Sequence, residues 1–233
     1  LYFLQLHRQS DIGPDGHARR GDFLPPVPLP RRMWAGSDVE LGAPLRIGDA
    51  ATRVSMIAAI SEKAGRSGPL VFVKVRHELR RNDTAEVAIA ETHDIVYRDA
   101  PRPGDAAASP GAAPASAAWE RKVVPDAVLL FRYSALTFNG HRIHYDRRYV
   151  TETEGYPGLV VHGPLLATLL LDLLREHRPD AGVVRFRFRA VSPLFDTHPF
   201  FVCGEPSGDG TGVRLWAKDH RGGLAMDASA TIA

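Results

Sequence analysis

Cysteine is almost missing from these 233 residues. Cys203 stands alone, so no internal disulfide can form, and a reducing compartment, the cytoplasm, is the expected location. Lysine is scarce as well: four lysines (63, 74, 122, 218) among 29 basic residues leave 25 arginines. That bias does not make a nucleic-acid binder, because 27 acidic residues are interleaved with the basic ones and the net charge is only +2. No apolar run reaches the ~18–20 residues of a membrane span, so no membrane partner is expected. No secretory signal pattern is visible either. What is present is 44% apolar residues, enough for a substantial core in one large domain or two of ordinary size.

The organisation follows from turn formers and alternation. Residues 1–36 read as an irregular strap. Gly13-Pro14-Asp15-Gly16 signals a turn, and Pro25, Pro26, Pro28 and Pro30 force an extended path because proline fixes φ and removes a ladder donor. Trp34, beside Arg31 and Arg32, is expected to pin that strap to the core. Leu45–Asp49 reads as a short strand and turn, and Ala51–Glu62, Leu70–Leu79 and Ala85–Tyr97 as an antiparallel meander. His77 and His93 are expected on its solvated face. Residues 99–118, DAPRPGDAAASPGAAPASAA, form a linker with little to bury.

One helix is predicted in the second half. From Leu165 to Glu176 the only polar residues are Thr168, Asp172, Arg175 and Glu176, a narrow stripe at helical spacing on an otherwise apolar cylinder. Pro164 starts it, where a missing N–H costs nothing, and Pro179 stops it. More strands follow: Val183–Ala190 alternates strictly, with Val184, Phe186, Phe188 and Ala190 on one face, and further strands lie near Pro199–Cys203, Thr211–Lys218 and Gly223–Ile232. A buried helix followed by an antiparallel sheet is an α+β, hot-dog arrangement.

Directly before that helix, residues 130–162 gather Asn139, His141, His144 and His162, and Gly163-Pro164 opens the helix itself. Read from the residues alone, three histidines at a helix start admit three interpretations. They can be ordinary polar residues around a cap, a three-imidazole metal site, or acid/base groups. No cysteine or closely spaced carboxylate completes a metal set, and the HxxH lies beside a loop, so no metal is expected.

HRIHYD, Gly155-Tyr156-Pro157 and GLVVHGPL resemble the MaoC-type hot-dog hydratases and dehydratases. The likeness runs first to the mesaconyl-C4-CoA hydratase group and then to the mitochondrial 3-hydroxyacyl-thioester dehydratases. LRIGD and GRSGPLVFV resemble the family's N-terminal repeat, and FLPPVPLPRRMWAG its connecting strap. The resemblance implies a double hot-dog: two antiparallel sheets each wrapping a central helix. Its parts would be a strap over 1–36, a degenerate repeat over 37–98, a linker over 99–118 and a catalytic repeat over 119–233.

It also implies chemistry. Enoyl-thioester hydratases of this superfamily carry Gly-Asp-x-Asn-Pro-Leu-His, and the aligned residues here are Phe138-Asn139-Gly140-His141-Arg142-Ile143-His144. Asn139 takes the Asp position, and an amide can orient water but not accept its proton. His144 then becomes the main acid/base, with Glu154 the candidate carboxylate to replace the missing Asp. The thioester oxygen would find its donor at the helix N-terminus, first Gly163 N–H and then Leu165 or Leu166. His141, Arg142, Tyr145 and His162 are candidate substrate contacts. The implied partner is an acyl-CoA thioester, with CoA part of the substrate, no separate cofactor, and a homodimer possible. A dicarboxylate acyl group would need an arginine, with Arg142, Arg31 and Arg32 as candidates. A hot-dog thioesterase and a non-catalytic thioester-binding module are the competing readings.

Overall fold

The computed structural model describes residues 7–19, 21, 23–65, 68–99 and 110–233. Nine strands and two α-helices are found among them. In chain order these are β1 (Arg31–Leu41), β2 (Ala51–Gly65), β3 (Gly68–Arg81), β4 (Val87–Arg98), β5 (Trp119–Val123), α1 (Ala127–Thr137), α2 (Gly163–His177), β6 (Val183–Ala190), β7 (Phe200–Pro206), β8 (Gly212–Asp219) and β9 (Leu224–Ile232).

All nine strands join one sheet in the order β2-β3-β4-β1-β6-β9-β8-β7-β5. The seam is β1, which pairs antiparallel with β4 on one side and with β6 on the other. Register places Asp38 opposite Arg187, and the Asp38 carboxylate accepts from both Arg185 and Arg187 at 2.7–2.8 Å. This explains the alternating arginines of β6: they form its outer face, while Phe186 and Phe188 are buried. Val184, placed by strict alternation on the face of Phe186 and Phe188, is instead exposed, because the β6–β9 register shifts between Val183 and Arg185 and turns Val183 toward the core.

Helix α2 packs on β5, β7 and β8, as its apolar circumference requires. Leu165, Leu166, Ala167, Leu170, Leu173 and Leu174 are buried among Phe200, Val202, Leu215, Ala217 and Met226. The polar stripe Thr168, Asp172, Arg175 and Glu176 is exposed. Arg121 of β5 reaches over it to Asp172 at 3.1 Å, to Glu176, and to the Leu169 carbonyl at 3.2 Å. Burying six large or small apolar side chains from one helix contributes on the order of 10 kcal/mol of gross hydrophobic stabilisation before chain entropy is counted.

Several expectations need correction. The strap ends earlier than residue 36, since Arg31 already enters β1, and Trp34 therefore sits on a strand. Leu45–Asp49 is a turn closed by Asp49 N–H to Arg46 O at 3.1 Å, not a strand. The two halves of the double hot-dog join edge to edge in one continuous sheet, but among the described residues the half from Arg31 to Arg98 holds no α-helix of its own. Of the expected linker, residues 100–109 lie outside the described residues, and 111–113 are fixed onto the β8–β9 turn through Ala113 N–H to Gly222 O and Leu224 N–H to Gly111 O. Helix α1 was not expected at all. Asp126 caps it, its carboxylate accepting Leu129 N–H at 2.7 Å. It buries only Leu130 and Ser134 and leaves Val128, Phe131 and Leu136 exposed, so its sequence carries no helical stripe.

Candidate active site

The end of α1 aims the chain at the site. Phe138 adopts the left-handed conformation (φ 52°), and Asn139 N–H bonds back to Ser134 O at 2.8 Å. A non-glycine residue there costs of order 1 kcal/mol and reverses the chain within one residue. The Asn139 side chain closes the next turn by accepting His141 N–H at 3.0 Å. A 3-10 turn over Arg142–His144 then directs the His144 ring inward, where it is only 8% exposed.

His144 Nδ1 lies 2.7 Å from Val160 O. A carbonyl can only accept, so Nδ1 carries the proton and Nε2 keeps its lone pair. Burial pushes the His144 pKa down to about 4, the Val160 hydrogen bond opposing it and the His17 charge assisting. The ring is therefore a neutral base at pH 7 with a fixed tautomer. Behind it His162 stacks at 3.7 Å between ring centroids, fully buried, with Nε2 2.9 Å from Ser134 Oγ. His162 is also the N-cap residue of α2. The base is thus anchored through its stacking partner to the first turn of the buried helix, whose Gly163 lines the same cleft. Gly163 faces Trp34 of β1, and a Cβ there would meet that ring at 3.4 Å.

The cleft, of about 2710 Å³, is walled by both halves of the sheet. His141, His144, Asn139, Gly163 and Glu154 line one side, and Arg32, Trp34, His77, Glu91 and His93 the other. Its volume exceeds the 300–1,000 Å³ of ordinary small-molecule sites. It lies against β1, β3 and β4, with Val39, Leu41, Val75, Leu79, Ile89 and Ile95 as its apolar floor. Trp34 is fixed there by Nε1–H to Ser37 Oγ at 3.2 Å and by edge contacts to His93 and Phe188. The expectation that His77 and His93 sit on a solvated face is corrected: both turn into the cleft, burial lowers both pKa values, and His93 Nε2 is buried without a partner among the described residues.

Three candidate contacts lie elsewhere. Arg142 is occupied by Asp146 at 2.8–3.0 Å, by Pro14 O at 3.0 Å, and by the Tyr149 ring beneath it. Tyr145 is exposed and donates to Gly140 O at 2.8 Å. His162 lies behind His144, out of reach of the cleft. Leu166 N–H is committed to His162 O at 3.2 Å, which leaves Gly163 and Leu165 as the helix-start N–H groups without an i−4 carbonyl. Glu154 does not replace the missing Asp: its carboxylate pairs with Arg31 at 3.1 Å and accepts the Tyr149 hydroxyl at 2.9 Å.

Two residues that sequence reasoning missed come from the N-terminal segment. Asp15 Oδ2 is 3.0 Å from His17 Nδ1, and the His17 ring lies 3.8 Å from that of His141, which meets His144 edge-on at 5.4 Å. Burial pushes the Asp15 carboxyl up, but the His17 hydrogen bonds and charge more than reverse this and hold it well below the usual carboxylate range. Burial, with the charges of His17 and His144, pushes His141 down to about 2. The available signal in the sequence was the turn at Gly13–Gly16, which marks the chain reversal but not its destination.

An enoyl-thioester site needs a base beside a helix start and a cleft for a long carrier, and this one has each. Residues 1–196 match the family model described as hydroxyacyl-thioester dehydratase type 2. The chain belongs to that family. A relative of this dehydratase family, the mesaconyl-C(4)-CoA hydratase of Chloroflexus aurantiacus, is 48% identical over 232 residues, covering 100% of this chain and 81% of its own. The mitochondrial hydroxyacyl-thioester dehydratase type 2 of Schizosaccharomyces pombe is 42% identical over 87 residues, 36% of this chain and 29% of its own. The crystal structure of a MaoC-like dehydratase from Phytophthora capsici shares the fold at TM-score 0.68 and 15% identity, over 91% of this chain and 76% of that one. The α+β hot-dog class therefore holds, and the chain is an enzyme of the acyl-CoA hydratase and dehydratase type.

Proposed function

We propose that this enzyme adds water reversibly to mesaconyl-C4-CoA, giving citramalyl-CoA. The observation that carries this reading is His144, a buried neutral imidazole whose Nδ1 proton is given to Val160 O at 2.7 Å, stacked on the residue that caps α2. Hydrating an α,β-unsaturated thioester places water oxygen on Cβ, a proton on Cα, and transient negative charge on the thioester oxygen. His144 Nε2 takes the water proton. The thioester oxygen lies at the α2 start, where Gly163 N–H and the helix dipole favour negative charge. Asn139, whose Oδ1 is engaged by the backbone, positions rather than deprotonates.

The acyl group's own carboxylate selects the substrate. Of the three candidate arginines, Arg142 and Arg31 are already paired. Arg32 lines the cleft, acts electrostatically on both His141 and His93, and its guanidinium has no hydrogen bond or ion pair among the described residues. We assign it the carboxylate. Dehydration of a 3-hydroxyacyl thioester is the same site run in reverse, and the family description supports it as the second reading. In either case CoA is part of the substrate and no separate metal or organic cofactor takes part. We further read the first half, starting at Arg31 with β1 and running to 98, as the degenerate repeat, 119–233 as the catalytic one, the enzyme as cytoplasmic, and a homodimer as its assembly.

The test is loss of enoyl-thioester absorbance with mesaconyl-C4-CoA and, in parallel, crotonyl-CoA. The full chain should consume the first faster, and His144→Ala should consume neither. Binding of both thioesters without turnover would replace this reading with a non-catalytic thioester-binding module.

A further inference from the structure

The α2 side of the cleft holds one assigned base, and hydration needs two groups: one to take a proton from water and one to give a proton to Cα. Asn139 cannot be the second, since an amide does not exchange protons near neutrality. Glu154 is held by Arg31. His141 and His162 are both pushed down to about 2, chiefly by burial, and stay neutral. A carboxylate-paired imidazole is present, but it comes from outside both halves of the sheet.

Residues 11–19 form a closed turn, with Gly13 N–H to His17 O at 2.7 Å and Arg19 N–H to Asp11 O at 2.7 Å. The turn docks on the site loop itself. Arg142 N–H donates to Asp15 O at 2.9 Å, and the Arg142 guanidinium donates to Pro14 O at 3.0 Å. Gly16, at φ +87°, lies so close to Gly140 that a Cβ would stand 1.8 Å from its carbonyl oxygen. The reciprocal Cβ on Gly140 would meet Gly16 O at 2.9 Å. Two glycines therefore permit backbone contact at the one place that carries His17 over His141 and into the cleft lining. Within the turn Asp15 receives His17 twice, Oδ1 from the backbone N–H and Oδ2 facing Nδ1, both at 3.0 Å.

We infer that His17 is the second catalytic group of the hydration, the acid that protonates Cα, and that Asp15 is the residue positioning it and stabilising its imidazolium. The inference rests on the hydratase reading above and adds a residue to it. In the forward direction water oxygen bonds to Cβ while His144 Nε2 takes one water proton. The π pair moves through the thioester to Cα and forms the Cα–H bond with the proton from the His17 imidazolium. The site is left with His144 charged and His17 neutral. One proton passing back, across the His141 ring that lies between them, restores the starting state. One water is consumed and nothing is oxidised or reduced. The arrangement is a carboxylate–imidazole pair of the kind that holds a tautomer and supports the cationic form.

The experiment compares Asp15→Asn, Asp15→Glu, His17→Gln, His17→Asn, the double Asp15→Asn/His17→Gln and His144→Ala in the full chain, with kcat and KM for mesaconyl-C4-CoA measured from pH 5 to 9. Both His17 variants should lose about 10²–10⁴-fold in kcat, with KM within about threefold. Asp15→Asn should move the alkaline limb of kcat/KM to lower pH, because the acid loses its stabilising carboxylate. Asp15→Glu should restore the limb, and the double variant should be no worse than His17→Gln. A merely structural turn would lower the rate without moving the limb. If the His17 variants stay within threefold of the parent at every pH while His144→Ala is inactive, the inference falls and the hydratase reading stands. If the parent hydrates neither thioester, both fall. Ligand atoms of Asp15, His17 and His141 lie within 4.8 Å of one another. Activity lost to a chelator and restored by a divalent ion would therefore overturn the acid assignment in favour of a metal.

Discussion

Lowering the pH from 7.5 to 5 should unfold this protein more readily for a reason located in the site. His141, His144 and His162 have folded-state pKa values of about 2, 4 and 2, against 6.5 in an exposed chain. A depressed histidine pKa means the unfolded chain binds the proton and the folded one does not, so the stability is present above pH 6.5 and is lost as pH falls toward the folded values. Each such histidine loses about 1.4 kcal/mol per pH unit below 6.5, which makes about 2 kcal/mol at pH 5. Three together approach 6 kcal/mol, comparable with the whole stability of an ordinary domain. His77 and His93, lowered by the same burial, act in the same direction. Asp15 and Asp38, held below the usual carboxylate range by their cationic partners, hardly enter over this window. The melting temperature should fall by on the order of 10–20 °C between pH 7.5 and 5 for a chain of this size. His141→Gln should flatten that dependence by about a third. A melting temperature that moves by less than about 3 °C over this range in the parent would refute the claim that these imidazoles are held neutral.

Three further outcomes follow from single contacts. Arg32→Ala should raise KM for mesaconyl-C4-CoA by about tenfold or more and leave crotonyl-CoA unchanged, because a charge-assisted hydrogen bond to a carboxylate is worth about 1.5–3 kcal/mol. Equal effects on both thioesters in steady-state kinetics would remove Arg32 from the acyl end. Ser134→Ala strips the hydrogen bond to the ring of fully buried His162, whose Nδ1 already lacks a partner among the described residues. Urea denaturation should show a loss of about 1–3 kcal/mol, and unchanged stability would mean His162 packs as an apolar ring. Gly16→Val should undock the N-terminal turn, given the 1.8 Å approach to Gly140 O, and proteolysis near His17 should quicken without loss of the central sheet.

The sequence made the second half legible to the degree that local periodicity carries its structure. The stripe on α2, Pro164 at its start and the alternation of β6 are local signals, and each element lies where they point. Helix α1 was illegible because its exposed apolar residues erase the stripe, leaving a run that reads equally well as strand. The site divides along the same line. His141, His144, Asn139 and Gly163 fall within 25 residues and could be grouped from spacing and resemblance. Arg142 and Tyr145 fall between them but point elsewhere, because a 3-10 turn does not keep the alternation of a strand. Asp15, Arg32, Trp34 and His93 come from three separate earlier segments, and their convergence is set by the seam at β1 and by the glycine contact at residue 16, neither of which has a local signature.

The two halves of the sheet divide the labour for a physical reason. A helix start supplies oriented N–H groups only if the helix is buried and fixed, and α2 is fixed by six apolar residues against β7 and β8. The same burial would fill any cleft beside it. Space for a long thioester exists because the other half, from β1 to β4, has no such helix among its described residues and turns its apolar face to the cleft instead. Replacing Val75 or Ile95 in that floor with Phe should therefore obstruct acyl or carrier binding while leaving the His144–Val160 hydrogen bond intact. The expected signature is a raised KM with kcat preserved at saturation, measured on mesaconyl-C4-CoA. A fall in kcat at unchanged KM would show instead that the floor of the first half supports the chemistry itself.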